Sequence, residues 1–296
     1  MIDHAARTPA RAMGLSPRTL ILTAAAMLCF AANSVLCRLA LAPRFIDPAT
    51  FTSLRVASAA AILCIVVWLQ RRRFPRLERA NPLSIVSLSA YFAFFSFAYL
   101  RLDAGSGALI LIGAVQLTMF SVAFWEGERF SVAQWVGLAM ALLGFSYLVL
   151  PGASAPDPLG AALMGISGLA WGCFSLIARN ASSPVETNAA NLIGCLLPAA
   201  GISLLAAHNF EASTIGALIA IASGGIATGL GYIVWYLALH GLPATHAATV
   251  QLSMPALVTL GGVLLLSEPI TVRVIVASVM MLGGIGLVLL RTNTPQ

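Results

Sequence analysis

Apolar residues run along this chain in blocks of roughly twenty, and polar residues gather in the gaps between them. Pro, Gly, Asp and Arg punctuate the gaps, a pattern that marks helix ends. Ten blocks result, at about 20–42, 48–70, 82–102, 106–126, 132–150, 158–180, 187–207, 213–239, 243–266 and 272–290. A helix needs about 20 mostly apolar residues to cross ~30 Å of hydrocarbon, and these blocks have that length. Strands of a membrane barrel alternate in polarity over about 10 residues, and these blocks do not alternate. The pattern predicts an all-α integral membrane protein of ten transmembrane helices.

The polar interruptions within the blocks recur. Residues 30–38 read FAANSVLCR and residues 171–179 read WGCFSLIAR, each an aromatic residue, a Ser four positions on and an Arg four beyond that. GERFS at 127–131 likewise matches SEPIT at 267–271, and LLGFSYLVL at 142–150 matches LGGIGLVLL at 282–290. The repeat unit is therefore five helices. Five is odd, so the second copy enters the membrane from the opposite side, which is the inverted repeat of many secondary transporters, with substrate held near the midplane between the halves. The expected division is a tail at 1–17, one repeat at 18–150 and a second at 158–291.

Composition supports the membrane reading and removes others. Only 9% of the 296 residues are charged, against about 25% in a soluble domain. All 16 basic residues are Arg, and most lie between the apolar blocks. A basic balance so distributed reflects orientation in a bilayer, not nucleic-acid binding. With the N-terminus inside, the inner side holds Arg7, Arg11, Arg18, Arg71, Arg72, Arg73, Arg76, Arg79, Arg129, Arg179 and Arg291; the outer side holds Arg38, Arg44, Arg101 and Arg273. The excess on the inner side predicts that both termini are cytoplasmic. The first apolar run continues to Ala42, longer than the ~7–15 residues of a signal-peptide core, and reads as an uncleaved first helix. Cys29, Cys37, Cys64, Cys173 and Cys195 all fall in apolar runs without paired spacing, so neither a disulfide framework nor a metal site is expected.

Two five-helix halves, the aromatic-x-x-x-Ser-x-x-x-Arg first helix in each, and a Glu closing each fourth helix (Glu128, Glu268) resemble the drug/metabolite transporter superfamily, EamA type, over about 18–291. Within it the chain is most similar to the YddG-type exporters of aromatic and other neutral amino acids. The resemblance implies a multi-pass exporter of small metabolites in the cell's inner membrane, working by alternating access. The first four helices of each half would surround a central cavity. It implies no cofactor and no partner beyond substrate and lipid; a single chain suffices for the fold, and a homodimer is compatible with it.

Several residues are candidates for the cavity. Helical spacing puts Phe30, Ser34 and Arg38 on one stripe, and Trp171 and Ser175 on its mate. An amide facing lipid costs several kcal/mol unless bonded, so Asn33 must face either a cavity or a neighbouring helix. Trp171 falls mid-helix, away from the interfaces where Trp usually anchors, and its large ring with one N–H donor suits stacking on a substrate. Gln116 lies in the fourth helix; Gln251 and Ser253 precede Pro255, which removes one helical bond. A helix broken there either lines a transport site or kinks for packing. Aromatic stripes at Tyr91, Phe95, Tyr99 and at Tyr232, Trp235, Tyr236 either pack or line the cavity. Arg55, about two turns into the second helix, is a functional candidate by its depth; it either attracts a carboxylate or snorkels outward. The expected lining is Trp171, Asn33, Ser34, Phe30, Ser175, Tyr99, Gln116, Gln251, Ser253, Tyr232, Trp235 and Arg55.

Asp47, Asp103, Asp157, Glu186 and Glu211 read as loop residues, and Glu126, Glu128 and Glu268 as helix ends. A proton-driven carrier usually needs a carboxylate or His within the membrane. Facilitated transport is therefore expected, with a proton-coupled exporter of drugs or other metabolites as the alternative. A rival from another class is an intramembrane serine protease, because GISG at 165–168 places Ser167 in a nucleophile-like context and His240 or His246 as a base. The five-plus-five repeat has no explanation in that reading.

Overall fold

The computed structural model describes residues 16–290 apart from 153, 180 and 243; the expected tail, 1–17, and Arg291 lie almost wholly outside them. Among the described residues the chain forms ten helices: α1 (Pro17–Leu41), α2 (Pro48–Arg71), α3 (Pro82–Ala98), α4 (Ala104–Trp125), α5 (Val132–Val149), α6 (Pro158–Ala178), α7 (Pro184–Leu205), α8 (Thr214–Leu239), α9 in two pieces (Ala244–Gln251 and Met254–Leu266) and α10 (Val272–Leu290). Eight are long and apolar enough to cross a membrane, and α3 and α10 complete the set as shorter apolar helices. Large apolar side chains such as Ile21, Leu28, Val86, Leu197, Leu218, Leu264 and Val279 are exposed on the outside of the bundle. Water would not tolerate so much apolar surface; lipid does.

Local chemistry starts these helices. In hydrocarbon no backbone N–H can go unsatisfied, so each first turn needs a cap. Ser16–Pro17, Asp47–Pro48, Asn81–Pro82 and Asp157–Pro158 each pair a capping side chain with Pro at the first helical position, and Ser183–Pro184 supplies the Pro without a side-chain cap bond. Pro is pre-set for that position and has no N–H to lose. Asp47 Oδ1 accepts from Ala49 and Thr50 at 3.0 and 2.9 Å, and Asp157 Oδ1 from Gly160 at 2.8 Å. Ser131 and Gln134 form a reciprocal capping box on α5.

The packing has the symmetry that the repeats predict. α1 lies against α8 and α9, α6 against α3 and α4, and α2–α7, α4–α9 and α5–α10 pack as pairs. Taking every helix to its mate five places away turns α1–α8 into α6–α3 and α1–α9 into α6–α4, and leaves the other three pairs unchanged. That is a pseudo-two-fold axis between two repeats. At α5–α10 the approach is backbone to backbone: a Cβ on Gly137 or on Gly284 would collide with the other residue's carbonyl oxygen. Small residues drive such contacts because lipid supplies no hydrophobic force between helices.

Three elements differ from the sequence expectation. α3 stops at Ala98, four residues before the expected 102, and Tyr99 is its C-cap. α8 is π-helical over Ser223–Leu230; there Gly224 lies against α2, where a Cβ would collide with the Arg55 carbonyl and Ser58 Oγ. Glu186, read as a loop residue, is instead in the first turn of α7, and buried. The missed signal was Pro184 at the first helical position. Glu186 receives Arg71 at 2.8 Å, Arg73 at 2.9 Å and Arg79 at 3.5 Å, tying the α2–α3 link to α7.

Candidate functional site

Aromatic rings form a continuous cluster where the two repeats meet. Trp171 of α6 stacks on Tyr232 of α8, with ring centroids 5.9 Å apart and planes 11° apart. On its other side it meets Tyr91 of α3 at 4.8 Å and Phe174 at 5.3 Å. Phe30 of α1 points its edge at Tyr232 (6.2 Å) and Trp235 (5.9 Å). Tyr91, Phe95 and Tyr99 continue the cluster along α3, at 5.3 and 4.8 Å. Trp171 is half-buried, while Tyr91, Phe95, Tyr99 and Tyr232 are buried.

Arg55 of α2 sits under this cluster and is fully buried, so it does not snorkel. Its guanidinium carbon lies 4.7 Å from the Phe95 ring centre, 4.8 Å from Phe92 and 5.6 Å from Tyr91. Nη2 donates to Tyr91 Oη at 3.2 Å, but Nε and Nη1 have no hydrogen-bond partner. Removing an ion from water costs several kcal/mol. Each desolvated cation–π contact returns about 2 kcal/mol, so the three rings offset much of that cost. They offer no acceptor, however, and two N–H groups stay unmatched.

The remaining expected residues divide. Asn33 Oδ1 accepts from Ser223 Oγ (3.2 Å) and Thr228 Oγ1 (3.0 Å), joining α1 to the π-helical part of α8. Ser34 is fully buried, with its Oγ beside the Tyr99 hydroxyl. Ser175 donates to the Trp171 carbonyl at 2.7 Å, and Tyr99 Oη reaches the Ala104 carbonyl at 3.4 Å. Gln116 faces a narrow crevice toward α5 and α10, with Leu117, Phe145 and Met281. Gln251 is half-buried at the break in α9, and exposed Ser253 donates to the Val250 carbonyl at 2.7 Å. The crevice beside Gln116 includes none of the clustered rings. Asn188 of α7 was not among the expected residues: it is buried, its Nδ2 donates to Tyr236 Oη at 3.2 Å, and its Oδ1 is unpartnered. Its signal was an amide within ETNAANL, the polar opening of the apolar run of α7.

One end of the cluster is clasped by charge. Arg38 Nε donates to Glu268 Oε1 at 3.0 Å, Nη1 to the Tyr99 carbonyl at 2.9 Å and Nη2 to Asp103 at 3.3 Å. Glu268 Oε2 accepts the Ala104 N–H at 2.8 Å and so caps α4 from across the bundle, where Asp103 makes no capping bond. Every residue of α4 from Ala104 to Val115 is buried, whereas from Gln116 to Trp125 only Thr118 is. A groove of about 690 Å³ lies at this same end, bordered by Arg44, Asp47, Phe97, Arg101, His208 and Glu211 among others; none of the expected site residues lines it. Ser167 is fully buried and donates to the Tyr91 carbonyl at 3.0 Å, while His208, His240 and His246 are exposed at helix ends. This geometry gives Ser167 no base.

The model of the EamA-like transporter family matches residues 17–150 and again 158–290. The chain belongs to that family. It is 46% identical over 273 residues to the protein PA1977 of Pseudomonas aeruginosa, covering 92% of this chain and 94% of that one. It is 27% identical over 255 residues to an uncharacterized transporter of Archaeoglobus fulgidus (83% of this chain, 90% of that one). With the uncharacterized transporter YoaV of Bacillus subtilis it shares 23% identity over 256 residues (81% and 86%). A solved crystal structure superposes with a TM-score of 0.59 at 21% identity, over 90% of this chain and 97% of its own, and shows the same fold. For an EamA-family chain the two family matches and the pseudo-two-fold axis describe one fact, a duplicated five-helix unit. Such a transporter takes a small-molecule substrate across a lipid bilayer.

Proposed function

We propose that this chain exports neutral amino acids, aromatic ones among them, by alternating access of the halves 18–150 and 158–291, with both termini cytoplasmic in the inner membrane. The observation that carries the reading is the ring cluster at the junction of the repeats, with Trp171 half-buried and stacked on Tyr232. Aromatic faces prefer offset or edge contacts worth about 0.5–1.5 kcal/mol beyond burial, so an apolar side chain or ring can replace one such contact at little cost. Transport runs down the substrate gradient. The described carboxylates cap helices, close them or lie in links, except Glu186, which three Arg side chains hold at the first turn of α7, and the described His residues are exposed. No group with a tunable pKa lies at mid-depth among them.

The test is flux of L-phenylalanine in proteoliposomes, with and without an imposed pH gradient at clamped voltage. Equal flux under both conditions is expected. Trp171→Ala should reduce it by up to about tenfold, the loss of roughly one aromatic contact, and Trp171→Phe by less. Uphill accumulation driven by the pH gradient would favour the proton-coupled alternative.

A further inference from the structure

Arg55 has no ionic partner among the described residues, and the charge it holds belongs to no structural pair. The clasp and the α7 cluster show how this protein treats its structural arginines: Arg38, Arg71, Arg73 and Arg79 each meet a carboxylate. Among the described residues Arg55 is the only fully buried Arg, and it meets only rings and one phenol hydroxyl. A buried guanidinium whose Nε and Nη1 lack acceptors is matched to an anion that arrives from outside. Guanidinium and carboxylate are complementary in shape and charge.

We propose that Arg55 seats the carboxylate of the transported molecule, so that this chain carries organic monocarboxylates with an apolar body and rejects their amides. The proposal rests on the ring cluster being the transport site and names the chemical class that it selects. Tyr91 links the two parts of such a ligand: its hydroxyl bonds Arg55 and its ring abuts Trp171. A carboxylate on Arg55 therefore places the attached apolar body toward Trp171 and Tyr232. A single positive charge fits one negative charge. A phosphate dianion would need a second cation, and Arg38 is committed to Glu268 and Asp103. The α-amino group of an amino acid is permitted but is not what Arg55 reads.

The experiment uses two ligand pairs that differ only at the head group: L-phenylalanine with its carboxamide, and 3-phenylpropionate with 3-phenylpropionamide. Each is titrated against the purified full chain in detergent by thermal shift and against L-phenylalanine counterflow in proteoliposomes. Both carboxylates should bind at least about tenfold more tightly than their amides, the scale of a hydrogen bond to a charged group. Arg55→Gln should erase that ratio, and Arg55→Lys should retain part of it. If Arg55→Gln fails to fold, the pairs on the unaltered chain still decide. Amides equal to carboxylates, with phenylalanine transported, would overturn the anchor and leave the amino-acid reading standing. Binding of 3-phenylpropionate but not of phenylalanine would support the anchor and overturn the amino-acid reading. Failure of all four to bind overturns the anchor.

Discussion

Arg38 and Arg179 hold equivalent places in the two repeats, at the ends of α1 and α6, and so do Glu268 and Glu128 at the ends of α9 and α4. Their surroundings are opposite. Arg38 and Glu268 retain only 17% and 11% of their side-chain exposure and bond at 3.0 Å. Arg179 reaches Glu126 at 3.5 Å, with both partners half in solvent, and Glu128 is exposed. The same residue types are present at both ends, yet only one end is drawn together. Sequence symmetry thus does not impose equal conformations on the halves, and a carrier that opens to one side at a time requires that inequality.

Substitutions at the two ends should differ in the same way. Glu268→Ala leaves Arg38 partly buried without its main partner and uncaps the Ala104 N–H, so about 3 kcal/mol should be lost. Glu128→Ala should change stability by less than about 0.5 kcal/mol. Thermal unfolding of the two variants in one detergent measures the contrast, and similar losses would show the ends to be equivalent. Glu186→Gln comes next, at about 2 kcal/mol. Its carboxylate is as buried as any here, but its Arg partners keep about a third of their exposure and can turn back to water, which limits the penalty. Urea or thermal denaturation, with limited proteolysis at the α2–α3 link as a local readout, should place it below Glu268→Ala. Arg179→Ala should have as small an effect as Glu128→Ala, within about 0.5 kcal/mol, as exposed pairs generally do; a larger loss would mean that its end is also clasped.

The helices and the repeat were readable because their causes are local. Ser–Pro, Asp–Pro and Asn–Pro pairs start helices wherever they occur before an apolar run, and twenty apolar residues need lipid whatever their neighbours. The fate of Arg55 was not readable. Whether its side chain reaches outward or inward depends on Phe92 and Phe95 of α3 covering it, a contact that helical spacing within α2 does not encode. The Asn33 amide was legible as a group in need of a partner; that Ser223 and Thr228 accept the role depends on the widened turn of α8. Gln116 fell on the face toward α5 and α10 because the angle of α4 about its own axis is set by tertiary packing. Polarity placed these residues inside the bundle but did not say which neighbours they meet.

The π-helical stretch at Ser223–Leu230 acts as an angular offset. One residue of an α-helix turns the chain by about 100°, and a π turn accommodates an extra residue within the same axial run. Tyr232 and Trp235 follow this stretch, and they face Trp171 and Phe30 because the offset has rotated the second part of α8 relative to the first. Removing any one residue between 223 and 230 lets the helix rewind, and the rings beyond it swing off the junction of the repeats although every side chain there is unchanged. In this segment residue count matters more than residue identity, so a relative with a single deletion there would present different rings at the junction of its repeats.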